Sequence, residues 1–246
     1  MPEVVLAFDT STDVTAVALL RAGSAGQLSV LAEEAAASAE RHAQLLLPRV
    51  NTCLSRAGLT LAQVDLIAVG VGPGSFTGVR VGLATAKGFA VATNVRVRGV
   101  ISLEVLARAA VDRAQLPAGT LCAPLLDAHK GEVFAGLYEL GPAGELRASM
   151  PPFHALPLMA AERVREAIAG RPCVVLGQGY RRYLAELEPV LATRALDAAY
   201  DVPSAIALAE QAVRLCAREG PSDASKLVPE YLRGSDAQLP KTPLRV

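Results

Sequence analysis

The chain has 246 residues, with 24 Lys plus Arg against 24 Asp plus Glu, 52% hydrophobic residues and 20% charged ones. That length and apolar content exclude disorder over the whole chain and supply material for one large domain or two small ones. The balanced charge excludes a general electrostatic pull toward nucleic acid or anionic lipid, although a local basic patch remains compatible with it.

In chain order, residues 3–8 form an apolar and β-branched run that ends at Asp9, followed by the polar turn DTSTD, a second run at 14–20, the Gly-rich RAGSAG and a third strand at 28–33. Strand, turn, strand, turn, strand predicts an antiparallel meander. Residues 40–57 are predicted helical, because Ala43, Leu46, Leu47, Val50, Leu54 and Ala57 fall on one face. Pro48 should kink that helix or mark a second start, and Gly58 should stop it. The continuous run 65–71 reads as a strand buried on both faces. It enters GPGSFTG and a helix over 77–92, then a strand at 95–100 and a helix at 102–110. Alternation of strands and helices after a meander predicts an α/β fold.

The second half repeats the pattern: strand 121–126, Asp127, the turn HKGE, and strand 133–140. The Pro-rich stretch 151–157 reads as a connector. Helix 158–169, strand 173–176, the turn Gly177-Gln178-Gly179 and a short helix follow, then a long helix over 204–218 that Ser204 can cap after Pro203. The last ten residues are expected to fray. Two halves that both open with strand, Asp, turn, strand point to a duplicated architecture.

Uncharged stretches such as 66–79 contain Gly or Pro and fall short of the ~18 apolar residues of a spanning helix. The opening MPEVVLAFDT lacks a basic region and reads as a strand rather than a signal peptide. Four dispersed cysteines without a C-x-x-C pair suit reduced thiols and a cytoplasmic protein.

Each candidate site has a functional and a bland reading. Asp9, Thr10 and Ser11 offer a carboxylate and two hydroxyls that can face a phosphate or its Mg²⁺; they are also ordinary turn formers. Gly72, Gly74, Ser75 and Thr77 belong to a Gly-rich loop before a helix, where an anion can bind or where Ser75 or Thr77 simply caps the helix. The loop fits neither G-x-x-x-x-G-K-[ST] nor G-x-G-x-x-G. Gly78, Gly82 and Ala86 recur every four residues and allow close helix packing, inside the chain or across a subunit boundary. Arg80 and Lys87 share another face, which reads equally well as a solvated rim. Asp127 mirrors Asp9, and Gly177 and Gly179 give a strand–GxG–helix turn that suits nucleotide approach or an ordinary turn. Three histidines without H-x-x-x-H or H-E-x-x-H spacing predict no metal site, and the lack of G-x-S-x-G leaves a hydrolytic site unsupported.

The strings VLAFDTST, ERHAQLLLPRV, VGVGPGSFTGVRVGLATAKG, GVISLEVLA and LLDAHKGEVFAGLY, with VPEYLR near the end, resemble the TsaB (YeaZ) family. His129 stands where that family usually has Arg. The resemblance implies an actin-like ATPase (ASKHA, ribonuclease H-like) fold of two related lobes: an N-terminal lobe over 1–101, a smaller C-terminal lobe over 102–220, and a segment 221–246 that packs on the first lobe and then frays. It implies a non-catalytic subunit that binds TsaD, with the ATPase TsaE joining, for threonylcarbamoyl transfer to tRNA; the alternative is a small actin-like ATPase or kinase. Homodimers are expected when TsaD is absent, and tRNA contact through the complex. No cofactor is expected to be held firmly by this chain, ATP or ADP with Mg²⁺ belonging to the complex. Older "glycoprotease-like" labels would follow from TsaD homology without a peptidase site here. Carried onto this sequence, the docking residues are His42, Leu46, Val50, Gly78, Arg80, Gly82, Ala86 and Lys87, with the Gly78–Gly82–Ala86 stripe as the seam.

Overall fold

A computed structural model describes residues 4–23, 27–37 and 42–233. Predicted features at Glu3, at 24–26, at the start of helix 40–57 and in the last ten residues lie outside the described residues.

The first lobe opens with β1 (Val4–Asp9), β2 (Val14–Ala22) and β3 (Leu28–Ala37), an antiparallel meander in which Asp9 lies opposite Ala16. Then come α1 (His42–Ala57), β4 (Leu66–Gly70), α2 (Phe76–Thr93), β5 (Arg96–Val100) and α3 (Ser102–Ala114). The second lobe contains β6 (Leu121–His129), β7 (Glu132–Leu140), β8 (Leu146–Ala155), α4 (Pro157–Ile168), β9 (Cys173–Leu176), α5 (Gln178–Arg182), α6 (Leu184–Leu191) and β10 (Arg194–Ala195), and α7 (Ala205–Glu219) follows. The sheets run β3-β2-β1-β4-β5 and β10-β9-β6-β7-β8. In each, the leading strand pairs antiparallel with the next strand and parallel with a later one, β1 with β2 and β4, β6 with β7 and β9. The repeated order of residue types therefore corresponds to a repeated topology.

The apolar runs of β1 and β4 are buried on both faces. On one side, Leu46, Val50 and Cys53 of α1 and Val79, Leu83 and Ala86 of α2 pack against Leu6, Phe8, Val17, Ile67 and Val69. On the other, Val5, Ala7, Ala18 and Ala68 meet Val105 and Ala109 of α3 and the Ala-rich face of α7. The alanines on both partners let helix and sheet approach closely. Helix α1 runs through Pro48, which is exposed, as is Gln44. The carbonyl of Gln44 that loses its i+4 donor thus has access to water.

Three expectations are corrected. Residues 151–155 are not a connector: they complete β8, where Phe153 lies opposite Ala135 and His154 opposite Phe134. β8 is an edge strand, so Pro151 and Pro152 cost it few ladder bonds, and Pro157 takes the first position of α4. The lobe boundary at 220 also fails, because α7 returns to cover the first sheet. Helix α3 belongs to neither lobe alone: Leu103, Leu106, Ala107 and Ala110 join the core against the second sheet while Val105 and Ala109 face the first.

Past α7 the chain forms a strap. Ser222 N–H donates to Val97 O at 2.8 Å, and Glu230 N–H to Val71 O at 2.8 Å. Leu227 joins the first core and Leu232 the second. Arg233 Nη1 donates to Ala128 O and Glu132 Oε2, both at 3.2 Å, so the strap ends on the second lobe.

Candidate functional site

The turns that end β1 and β6 face one another across the lobes. Between them is a cleft of about 490 Å³ whose walls include Ser11, Asp13, Ser75, Asp127, His129 and Arg182. The sequence-predicted residues Ser11, Ser75 and Asp127 do meet there; Asp9 and Thr10 do not line it.

Asp9 points into the protein. Its Oδ1 accepts from Ser11 N–H at 2.7 Å and Ser11 Oγ–H at 2.6 Å, and its Oδ2 accepts from Ser102 Oγ–H at 2.9 Å. Burial raises its pKa, opposed by the hydrogen bonds from Ser11 and Ser102. The carboxylate therefore pins the β1–β2 turn to the first residue of α3. Thr10 Oγ–H donates to Gly78 O at 2.7 Å, and Ser11 O accepts from Ser75 N–H at 2.6 Å. The turn is thus tied to the start of α2, where Ser75 Oγ caps the helix by accepting from Gly78 N–H at 3.2 Å. Thr77 is exposed and takes no part in the cap. Gly72 and Gly74 have φ of 90° and 158°. A Cβ on Gly74 would overlap the carbonyl of Ser11, so the loop requires glycine there by close approach.

Asp127 is held from three directions. Arg182 Nη1 donates to Oδ2 at 2.9 Å, Tyr183 Oη–H to Oδ1 at 3.2 Å, and His129 N–H to Oδ1 at 3.1 Å. His129 Nδ1 lies 3.4 Å from Oδ2. A guanidinium does reach this carboxylate, but Arg182 supplies it from α5. Gly177 and Gly179 sit against the backbone of Leu125 and Leu126, which a Cβ on either would overlap. Gly177 N–H donates to Asp201 Oδ1 at 3.3 Å and Gln178 N–H to Asp201 O at 3.0 Å, so donors expected to face a phosphate are taken within the chain.

The predicted docking residues divide. Gly78, Gly82, Ala86, His42, Leu46 and Val50 are buried inside this chain. A Cβ on Gly82 would lie 2.7 Å from Thr10 Oγ1 and 3.6 Å from Val69 Cγ2. The Gly78–Gly82–Ala86 seam is therefore intramolecular: the small residues bring α2 onto the β1–β2 turn and β4. His42 Nδ1 is 2.7 Å from Thr15 Oγ1, and burial lowers its pKa. Arg80 and Lys87 reach the strap, through Tyr231 Oη at 2.7 Å and Ser225 O at 3.4 Å. The outward face of α2 instead carries Thr77, Ala84, Gly88 and Val91, the last 89% exposed, and α1 adds Leu47 and Pro48. Small spacing along α2 was readable in the sequence; which of its two small faces pointed inward was not. Ser102, Arg182 and Tyr183 carried no sequence signal, since each becomes a partner of Asp9 or Asp127 only through tertiary folding. Among the described residues no helix is long and apolar enough to cross a membrane.

Residues 30–148 match the family described as TsaD, tRNA N6-adenosine threonylcarbamoyltransferase. The tRNA threonylcarbamoyladenosine biosynthesis protein TsaB of Bacillus subtilis is 31% identical over 236 residues, covering 95% of this chain and 96% of its own. TsaB of Haemophilus influenzae is 41% identical over 110 residues, 45% of this chain and 44% of that one. The solved structure of YeaZ from Pseudomonas aeruginosa superimposes with a TM-score of 0.78 at 34% identity, covering 94% of this chain and all of that one. With near full-length likeness in both sequence and structure, the chain belongs to the TsaB (YeaZ) family and has its two-lobed actin-like (ASKHA) fold.

Proposed function

We propose that this chain acts in tRNA threonylcarbamoyladenosine biosynthesis as a non-catalytic subunit that docks on a TsaD-type transferase. The observation that carries the reading is the match to B. subtilis TsaB over 96% of that protein. Two features of the site support it. Asp9 is enclosed by Ser11 and Ser102, and Asp127 by Arg182, Tyr183 and His129, so both carboxylates serve the turns that hold them. The outward faces of α1 and α2 expose the small or apolar residues Leu47, Ala84, Gly88 and Val91, which suit helix-on-helix docking. In this reading the same faces pair two copies when the transferase is absent. TsaE joins the assembled pair, any ATP or ADP with Mg²⁺ belongs to the complex, and the work is done in the cytoplasm.

The test is reconstitution. The chain is co-purified with its TsaD-type partner, and tRNA modification is measured with each protein left out in turn. Modification that requires this chain, together with a stoichiometric complex, is the expected result. Full modification without it, or ATP turnover by the chain alone that Asp127→Asn abolishes, would overturn the proposal in favour of an independent ATPase or kinase.

A further inference from the structure

We infer that Phe76, Arg80 and Tyr231, at the cleft end of α2, form a stacking site for an unpaired nucleotide of RNA; the inference rests on the proposed role in tRNA modification. A groove of about 460 Å³ opens here, walled by Val79, Phe134 and these three side chains. Phe76 is 53% exposed and Tyr231 50%, whereas the other four phenylalanines are buried or half-buried. Core packing therefore does not account for an aromatic ring at position 76.

The guanidinium, over the face of Phe76 and beside Tyr231, is oriented by two contacts. Arg80 Cζ lies 3.6 Å from the centroid of Phe76, and Arg80 Nε donates to Tyr231 Oη at 2.7 Å. The rings themselves are 5.7 Å apart and inclined at 34°. Among the described residues no carboxylate pairs with Arg80. Its plane is covered on one side by Phe76, and among the described residues nothing accepts from its terminal amino groups. RNA-binding proteins use guanidinium planes and aromatic rings as platforms for splayed bases, and guanidinium N–H groups grip phosphate oxygens. An unpaired nucleotide offers both a flat π-face and an adjacent negative charge, and so matches ring and cation together. An apolar peptide would match only the rings. Glu230 on the same rim requires the phosphates of a bound strand to run on the Arg80 side. Tyr231 comes from the strap, so the platform is complete only when the strap is seated.

The experiment is fluorescence anisotropy with a 5′-labelled tRNA anticodon stem-loop and a fully paired duplex of equal length. The full chain is titrated alone and in complex with its TsaD-type partner. Phe76→Ala is expected to weaken stem-loop binding about 5- to 100-fold, and Tyr231→Phe, which keeps a ring, to weaken it less than Tyr231→Ala. Arg80→Lys should keep the salt dependence but lose most of the affinity that Phe76→Ala loses. Melting curves and partner binding are measured for every variant. Stem-loop binding that does not depend on the rings, equal binding of the duplex, or competition by free AMP or an apolar peptide at the same concentration would each overturn the inference. If ring-independent binding is found while partner binding persists, the stacking site fails and the subunit role stands. A wild-type chain that does not bind its partner defeats the subunit role itself.

Discussion

Of the three glycines of helix α2, Gly78 and Gly88 should respond to the same substitution with opposite signs. A Cβ on Gly78 would overlap the carbonyl of Thr10, whereas one on Gly88 meets nothing within 4 Å. Gly78→Ala must push the start of α2 away from the β1–β2 turn, an overpacking cost of about 1–3 kcal/mol. It also stretches the buried bond from Thr10 Oγ–H to Gly78 O, now 2.7 Å, at about 1–2 kcal/mol more. The intrinsic gain of Ala over Gly in a helix returns about 0.5–1 kcal/mol. The net loss is about 1–4.5 kcal/mol, and at about 2–4 °C per kcal/mol for a chain of this size the melting temperature should fall by about 2–18 °C. Gly88→Ala keeps only the helix gain and should raise it by about 1–4 °C. Both variants can be followed by circular dichroism at 222 nm. Equal shifts of the two, or a Gly78→Ala protein that melts like wild type, would refute the inward assignment of the small stripe.

Three further outcomes follow from the same contacts. Ala84→Arg, on the outward face of α2, should abolish the complex with the TsaD-type partner in sedimentation while leaving the melting temperature within about 2 °C, since exposed substitutions away from packed features change stability little. Asp9→Asn should be tolerated, because an amide oxygen still accepts from Ser11 and the amide N–H₂ can donate to Ser102 Oγ; Asp9→Ala, which orphans buried donors, should cost about 2–4 kcal/mol in urea denaturation. Burial and the neighbouring Asp112 push the Glu210 carboxyl up to about 7. A carboxyl raised above its unfolded value binds its proton more tightly in the folded state. Its contribution to stability is therefore complete at low pH and disappears as pH rises through about 7. Melting temperature should decline between pH 5 and 8, and Glu210→Gln should flatten that decline; an unchanged slope would refute it.

How far the sequence alone carried depended on the range of the contacts involved. Continuous apolar runs marked β1 and β4, and helix starts at Ser75 and Ser204 followed from local capping chemistry, with Ser204 Oγ accepting from Ala207 N–H at 3.5 Å. Pro151 and Pro152 misled because proline excludes a central strand, and a strand's place at the edge of a sheet is not encoded in its own residues. The alanine-rich α7 followed the second lobe in sequence and so was assigned to it, whereas its partners are the small residues Ala7, Ala18 and Ala68 of the first sheet. Asp9 had the same local chemistry whether it faced a phosphate or Ser102. Its direction was set by a residue 93 positions away.

The return of α7 also bears on how the protein is made. The first sheet is complete at Val100, yet the back of β1 and β4 is covered only in part, by Val105 and Ala109 of α3, until residues 205–219 exist. During synthesis the whole second lobe leaves the ribosome before α7 can complete the cover over Val5, Ala7 and Ala68. The core of the opening half thus closes only when the closing half of the chain is in place.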